Sequence, residues 1–245
     1  MERKTVNLLN FPIDTFNKDD AFNYAKTLLD SSKSSHIVTI NPEIIETAKK
    51  NNHLERILKE AELVVPDGIG IKIGLLIKGQ KVDRIAGVDF AKRLIEEASK
   101  SGIPTALVGA KQEVLEKTAE NLLKENAGLN LVYTHNGYFE NNSEIINELK
   151  EKSPKLLLVA MGAPKQEEFI YEAKNILPST LMIGIGGSFD VWAGNVKRAP
   201  KIWQKLGLEW LYRCINQPER FKRIFPTLPL FICSIIKAQY LKKGG

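Results

Sequence analysis

The run Leu156-Leu157-Leu158-Val159-Ala160 carries five consecutive apolar residues with no polar alternation. Side chains along a strand point to opposite faces in turn, so such a run fits a strand buried on both faces, as in a parallel sheet covered by helices. Leu181-Met182-Ile183-Gly184-Ile185 reads similarly. Short apolar runs alternate with longer amphipathic stretches, the pattern of βα units. Strands are expected near residues 5–10, 36–40, 62–65, 104–108, 130–134, 155–160 and 181–185. Helices are expected near 19–30, 42–50, 53–60, 87–101, 111–126, 143–151, 164–175 and 200–217. The 245 residues are enough for one sizeable α/β domain and short for two. The reading is a Rossmann-like, mostly parallel sheet flanked by helices over residues 1–212, with a basic amphipathic appendage over 213–245.

Composition excludes several classes. The first ten residues hold Glu2, Arg3 and Lys4 and no long apolar run, so no secretory signal is readable. Cys214 and Cys233 are the two cysteines, with no Cys-x-x-Cys spacing. That argues against a disulfide scaffold or a structural zinc site and fits a reducing cytoplasm. Lys and Arg number 35 and Asp and Glu 29; seven of the former and one of the latter fall within 213–245, leaving 28 of each before it. The excess charge thus sits in the tail and points to a local anionic partner.

In open α/β sheets, ligands collect outside the carboxyl ends of the strands, and three unusual strand-to-helix loops fall there. In Thr39-Ile40-Asn41-Pro42-Glu43, Asn41 suits an N-cap and Pro42 a first helical position. The loop reads equally as a plain helix start or as Thr39, Asn41 and free backbone N–H groups facing a ligand. In Val65-Pro66-Asp67-Gly68, a carboxylate held between Pro and Gly is a candidate base, or simply a turn aspartate. Arg84, before Ile85-Ala86-Gly87, offers a cation for phosphate or a surface ion pair. In Met161-Gly162-Ala163-Pro164-Lys165-Gln166-Glu167, Gln166 lies where it can hydrogen-bond a sugar or phosphate. A fourth, glycine-rich segment, Gly184-Ile185-Gly186-Gly187-Ser188-Phe189-Asp190, has neither Walker A nor full dinucleotide spacing. A nucleotide could lie against its backbone with Asp190 on a ribose hydroxyl, while Phe189 and Trp192 read as core.

Taken in order, these segments resemble the WecG/TagA/CpsF glycosyltransferases. The resemblance extends through Gly109-Ala110, His135-Asn136-Gly137-Tyr138-Phe139, Lys197-Arg198-Ala199-Pro200, Leu206-Gly207-Leu208-Glu209-Trp210-Leu211-Tyr212-Arg213 and Pro218-Glu219-Arg220-Phe221-Lys222-Arg223. It implies an inverting transfer from a UDP-sugar, UDP-N-acetylmannosamine or its uronic acid, to an undecaprenyl-diphosphate-linked acceptor. It also implies Asp67 as general base and Thr39, Asn41, Arg84 and Gln166 as substrate-pocket residues. Arg213, Arg220 and Arg223 would close the site and touch diphosphate, and Gly109, Tyr138, Gly186, Gly187 and Asp190 would meet the nucleotide. The TagA-like branch makes the linkage unit of wall teichoic acid; a WecG-like or capsule-type transferase and a nucleotide-sugar-binding regulator are the alternatives.

The chain has no Asp-x-Asp motif, and arginine forks can replace a metal at a diphosphate, so no cofactor and no metal are expected. The apolar piece Leu228–Ile236 is shorter than the roughly 20 residues of a spanning helix, and Pro226 and Pro229 interrupt it. It reads as lying on an anionic membrane surface at the cytoplasmic face, with Phe225, Phe231 and Ile235 in the interface. A helix packed on the body or on a second subunit, giving a homo-oligomer, is the alternative. No nucleic-acid-binding motif accompanies the basic tail.

Overall fold

A computed structural model describes residues 2–216, 218 and 221–243, except for the side chains of residues 223 and 240–243. The chain opens with an antiparallel ribbon of β1 (Thr5–Leu8) and β2 (Phe11–Asp14), joined by a tight turn. The expected single strand over 5–10 is therefore corrected: Leu9 and Asn10 both take positive φ, and the chain reverses there. Then follow α1 (Lys18–Leu29), β3 (Ser35–Ile40), α2 (Pro42–Ala48), α3 (Asn52–Lys59), β4 (Leu63–Pro66) and α4 (Ile69–Ile77). Next come α5 (Gly87–Lys100), β5 (Thr105–Gly109), α6 (Gln112–Glu125), β6 (Leu131–His135), α7 (Asn142–Lys152) and β7 (Leu156–Ala160). The last elements are α8 (Lys165–Lys174), β8 (Leu181–Gly184), α9 (Ser188–Trp192), α10 (Lys201–Lys205), α11 (Glu209–Asn216) and α12 (Phe221–Lys243). Asparagine opens four of these helices: the side chains of Asn17, Asn41, Asn51 and Asn141 accept first-turn N–H groups of α1, α2, α3 and α7.

Strands β3 to β8 form one sheet in the order β4-β3-β8-β7-β5-β6, parallel throughout. Every residue of β7 and β8 is buried, as their unbroken apolar runs require. On one face Leu156, Leu158, Leu181 and Ile183 pack with α1, α5, α6 and α9. On the other, Leu157, Val159 and Met182 pack with α7 and α8, while Val38, Ile40 and Val64 pack with α2, α3, α4 and α12. Phe189 is fully buried and Trp192 packs beside it, as read from the sequence.

The ribbon is fastened to the sheet by one buried carboxylate. Asp14 takes a bidentate fork from Arg3, at 2.8 and 3.0 Å, and accepts the N–H of Val64 on edge strand β4 at 2.7 Å.

The tail departs most from expectation. Pro226 and Pro229 lie inside α12, which runs through them. Phe231 and Ile235 are 0% and 2% exposed, packed with Leu8, Phe11, Ile71 and Leu75, so they line the core and not an interface with lipid. Burial of these side chains offsets the two backbone hydrogen bonds that proline removes. A groove on α4 makes room for them. A Cβ at Gly70 would meet Leu228 at 2.7 Å, and one at Gly74 would meet Ile235 at 2.5 Å. Among the described residues no helix is long and apolar enough to cross a membrane.

Candidate active site

At the carboxyl ends of β3, β4 and β8 the sheet leaves a cleft of about 200 Å³. Thr39, Asn41, Asp67, Arg84 and Arg213 line it together with Glu43, Gly87, Glu209 and Trp210. Residues Ile224, Thr227 and Leu228 of α12 supply a further wall. Five residues chosen from sequence, spread over more than 170 positions, therefore meet in one place.

Asp67 is half-buried on the segment joining β4 to α4. Its own N–H donates to the Ile40 carbonyl at 2.8 Å, which pins the loop to β3. Oδ1 accepts the Gly68 N–H at 2.6 Å, and Oδ2 accepts the Gly87 N–H at 3.2 Å. Gly87 begins α5, whose N-cap Ala86 has no capping side chain, so Asp67 serves that helix end from a distance. Desolvation in the cleft pushes the Asp67 carboxyl above its ordinary range, with Glu209 adding to the rise; the Gly87 N–H, Arg84 and the Gly68 N–H oppose it. A fixed carboxylate with raised proton affinity is suited to accept a proton.

Thr39 Oγ1 donates to the Gly184 carbonyl at 3.0 Å, and Asn41 Oδ1 accepts the Ile44 N–H at 3.1 Å. Asn41 therefore caps α2 and lines the cleft as well. Gln166 is placed differently, outside the cleft lining. Its Oε1 accepts the N–H groups of Gly162 and Gly186 at 3.1 and 2.9 Å, and its Nε2 donates to Glu167 at 2.8 Å. It clamps the β7 and β8 loops together. The residues expected at the nucleotide also lie outside the cleft. Gly186, Gly187 and Asp190 follow β8; Gly109 ends β5 and Tyr138, 72% exposed, follows β6. They lie on the carboxyl side of the sheet, after β8, β5 and β6. Close approach explains Gly109, where a Cβ would meet the Ala160 backbone at 2.5 Å. Arg220 and the side chain of Arg223 lie outside the described residues.

Two buried carboxylates had no assigned role in the sequence reading, one in the cleft and one outside it. Glu209 is 7% exposed and faces three arginines, Arg84, Arg198 and Arg213. Its spacing to Arg213, i to i+4 on a helix, was the available signal. Glu167, behind Gln166, is 1% exposed with Oε2 unpartnered among the described residues, and burial raises its carboxyl to about 7. Among the described residues no group of three or more His, Cys, Asp or Glu is placed to hold a metal ion.

Residues 6–244 match the family described as glycosyl transferase WecG/TagA/CpsF. The N-acetylglucosaminyldiphosphoundecaprenol N-acetyl-beta-D-mannosaminyltransferase of Bacillus spizizenii is 33% identical over 238 residues, covering 97% of this chain and 92% of that protein.

Proposed function

This chain belongs to the WecG/TagA/CpsF family of glycosyl transferases, and from that premise we propose that it moves N-acetyl-D-mannosamine from UDP to undecaprenyl-diphosphate-linked N-acetylglucosamine. The product would be the disaccharide linkage unit of wall teichoic acid or of a related cell-surface polymer. The name of the Bacillus spizizenii relative supports the sugar and the acceptor, and a cleft carrying Arg84 and Arg213 suits a diphosphate leaving group.

One observation carries the mechanism: a desolvated, doubly anchored Asp67 shares its cleft with Arg84 and Arg213. The acceptor hydroxyl gives its proton to Asp67 while its oxygen bonds to the anomeric carbon of the sugar. The bond from that carbon to the β-phosphate oxygen breaks on the opposite face, and its electron pair leaves with UDP. Inversion follows from attack opposite the leaving group. Guanidinium groups then stabilise the charge that collects on the diphosphate. Thr39 and Asn41 face the sugar, and the nucleotide runs along Gly186, Gly187 and Asp190 toward Gly109 and Tyr138. Gln166 supports the pocket by holding the Gly162 and Gly186 loops together. Because the acceptor is a lipid, the reaction belongs at the cytoplasmic membrane surface, with the protein bound peripherally.

The test is UDP release from UDP-N-acetylmannosamine with a lipid-diphosphate-N-acetylglucosamine acceptor, in EDTA, for the wild type and Asp67→Asn. Acceptor-dependent turnover that persists in EDTA and falls by at least about a hundredfold in the variant is expected. Turnover with the uronic acid donor alone would replace the donor assignment, and equal rates in both proteins would remove Asp67 as the base.

A further inference from the structure

Glu209 is an unusual occupant of a cleft expected to bind an anion. It is 7% exposed, and a carboxylate so buried is stable only when paired. Its Oε1 accepts from Arg213 Nη2 at 2.8 Å and lies 3.4 Å from Arg198 Nε; its Oε2 lies 3.7 Å from Arg84 Nη2. The three arginines come from separate places: the segment before α5, the segment before α10, and α11 itself. Asp89 already neutralises Arg198 from the other side through Nη1 and Nη2. Glu209 is therefore shared between Arg198 and the two arginines that line the cleft, Arg84 and Arg213. Without an anion between them, those two cations would repel each other and turn toward water. The same guanidinium forks that fit a carboxylate also fit a phosphate. Arg213 Nε has no hydrogen-bond partner among the described residues.

We propose that Glu209 is a tethered counter-anion: it holds Arg84 and Arg213 assembled while the cleft is empty and yields them to the diphosphate of the nucleotide sugar when the cleft fills. This rests on the transferase reading above. Glu209 is a positioning residue, since it touches the arginines and not the reacting atoms. Its second effect is to moderate affinity. A cleft that keeps its own anion competes with UDP for the same donors and releases UDP more readily.

The experiment is UDP binding to the full-length protein by calorimetry, with thermal unfolding measured alongside, for wild type, Glu209→Gln and Arg198→Gln. Glutamine keeps the shape and an oxygen acceptor for Arg213 and removes the charge. Glu209→Gln should bind UDP about tenfold tighter, the scale of one unit charge acting across a half-buried cleft. Arg198 does not line the cleft. Its removal leaves Glu209 freer to pair with Arg84 and Arg213, so Arg198→Gln should bind UDP several-fold more weakly. A passive strut would weaken binding in both variants. Unchanged or weaker binding by Glu209→Gln overturns the proposal. Should that variant fail to fold, unchanged or tighter binding by Arg198→Gln overturns it instead. A wild type that binds no UDP would overturn the donor assignment, a result distinct from either.

Discussion

Asp67 and Glu167 are both carboxyls pushed upward by burial, and they answer to different measurements. Asp67 must lose its proton to act as base, so turnover should fall as pH drops through a value above the ordinary aspartate range. A pH–rate profile with its acid limb at the pH of a free aspartate would contradict the desolvated site. Glu167 belongs to stability. The unfolded chain ionises it near the usual 4.5, while the folded chain holds the proton to about 7. Between those values the folded state keeps a proton the unfolded state has lost, so this group's contribution to stability declines as pH rises. Glu167→Gln cannot titrate and can still accept from Gln166. Urea unfolding should show the variant gaining about 3 kcal/mol on the wild type between pH 4.5 and 7.5; a constant difference would refute this. The placement of Asn41 and Asp67 was legible in the sequence because each follows a buried strand in a loop of recognisable turn chemistry, and that of Thr39 because it lies near the end of such a strand. Glu209 was not, because its role comes from Arg84 and Arg198, which are 125 and 11 positions away and meet it only in the folded chain.

Among the elements, β7 and β8 could be read directly, since burial on both faces writes itself as an unbroken apolar run. Helix α4 could not: Gly68, Gly70 and Gly74 look like breakers, and the segment passes for a loop. Their spacing has a packing reason instead. Gly70 and Gly74 lie one turn apart on the face that receives Leu228 and Ile235 of α12. Gly74→Leu should therefore act on a helix distant in sequence. We expect a loss of about 1–3 kcal/mol from overpacking against Ile235 and Leu8, with trypsin cutting first at Lys222 and Lys237 of α12. Cleavage that began elsewhere would mean that α12 is held by other contacts. The prolines of α12 misled for a related reason: local backbone cost was visible in sequence, and the core contacts of Phe231 and Ile235 that outweigh it were not.

Across the whole molecule, α12 divides its apolar residues between two surroundings. Phe231 and Ile235 face the core, whereas Phe225, 54% exposed, and Leu230 face outward beside Lys222 and Lys237. A peripheral membrane contact would use the outward set. Replacing Phe225 and Leu230 by aspartate should reduce sedimentation with anionic vesicles by more than about tenfold and leave thermal stability nearly unchanged. Retained vesicle binding would move the contact to another face. The inward set has a consequence for biosynthesis. The ribosome makes α12 after every element it covers, so Leu8, Phe11, Ile71 and Leu75 exist in the nascent chain well before their cover does. During that interval the half-made protein shows an apolar patch beside an open pocket, a surface suited to chaperone capture. The same helix hides the patch and walls the pocket, so one late folding event covers both.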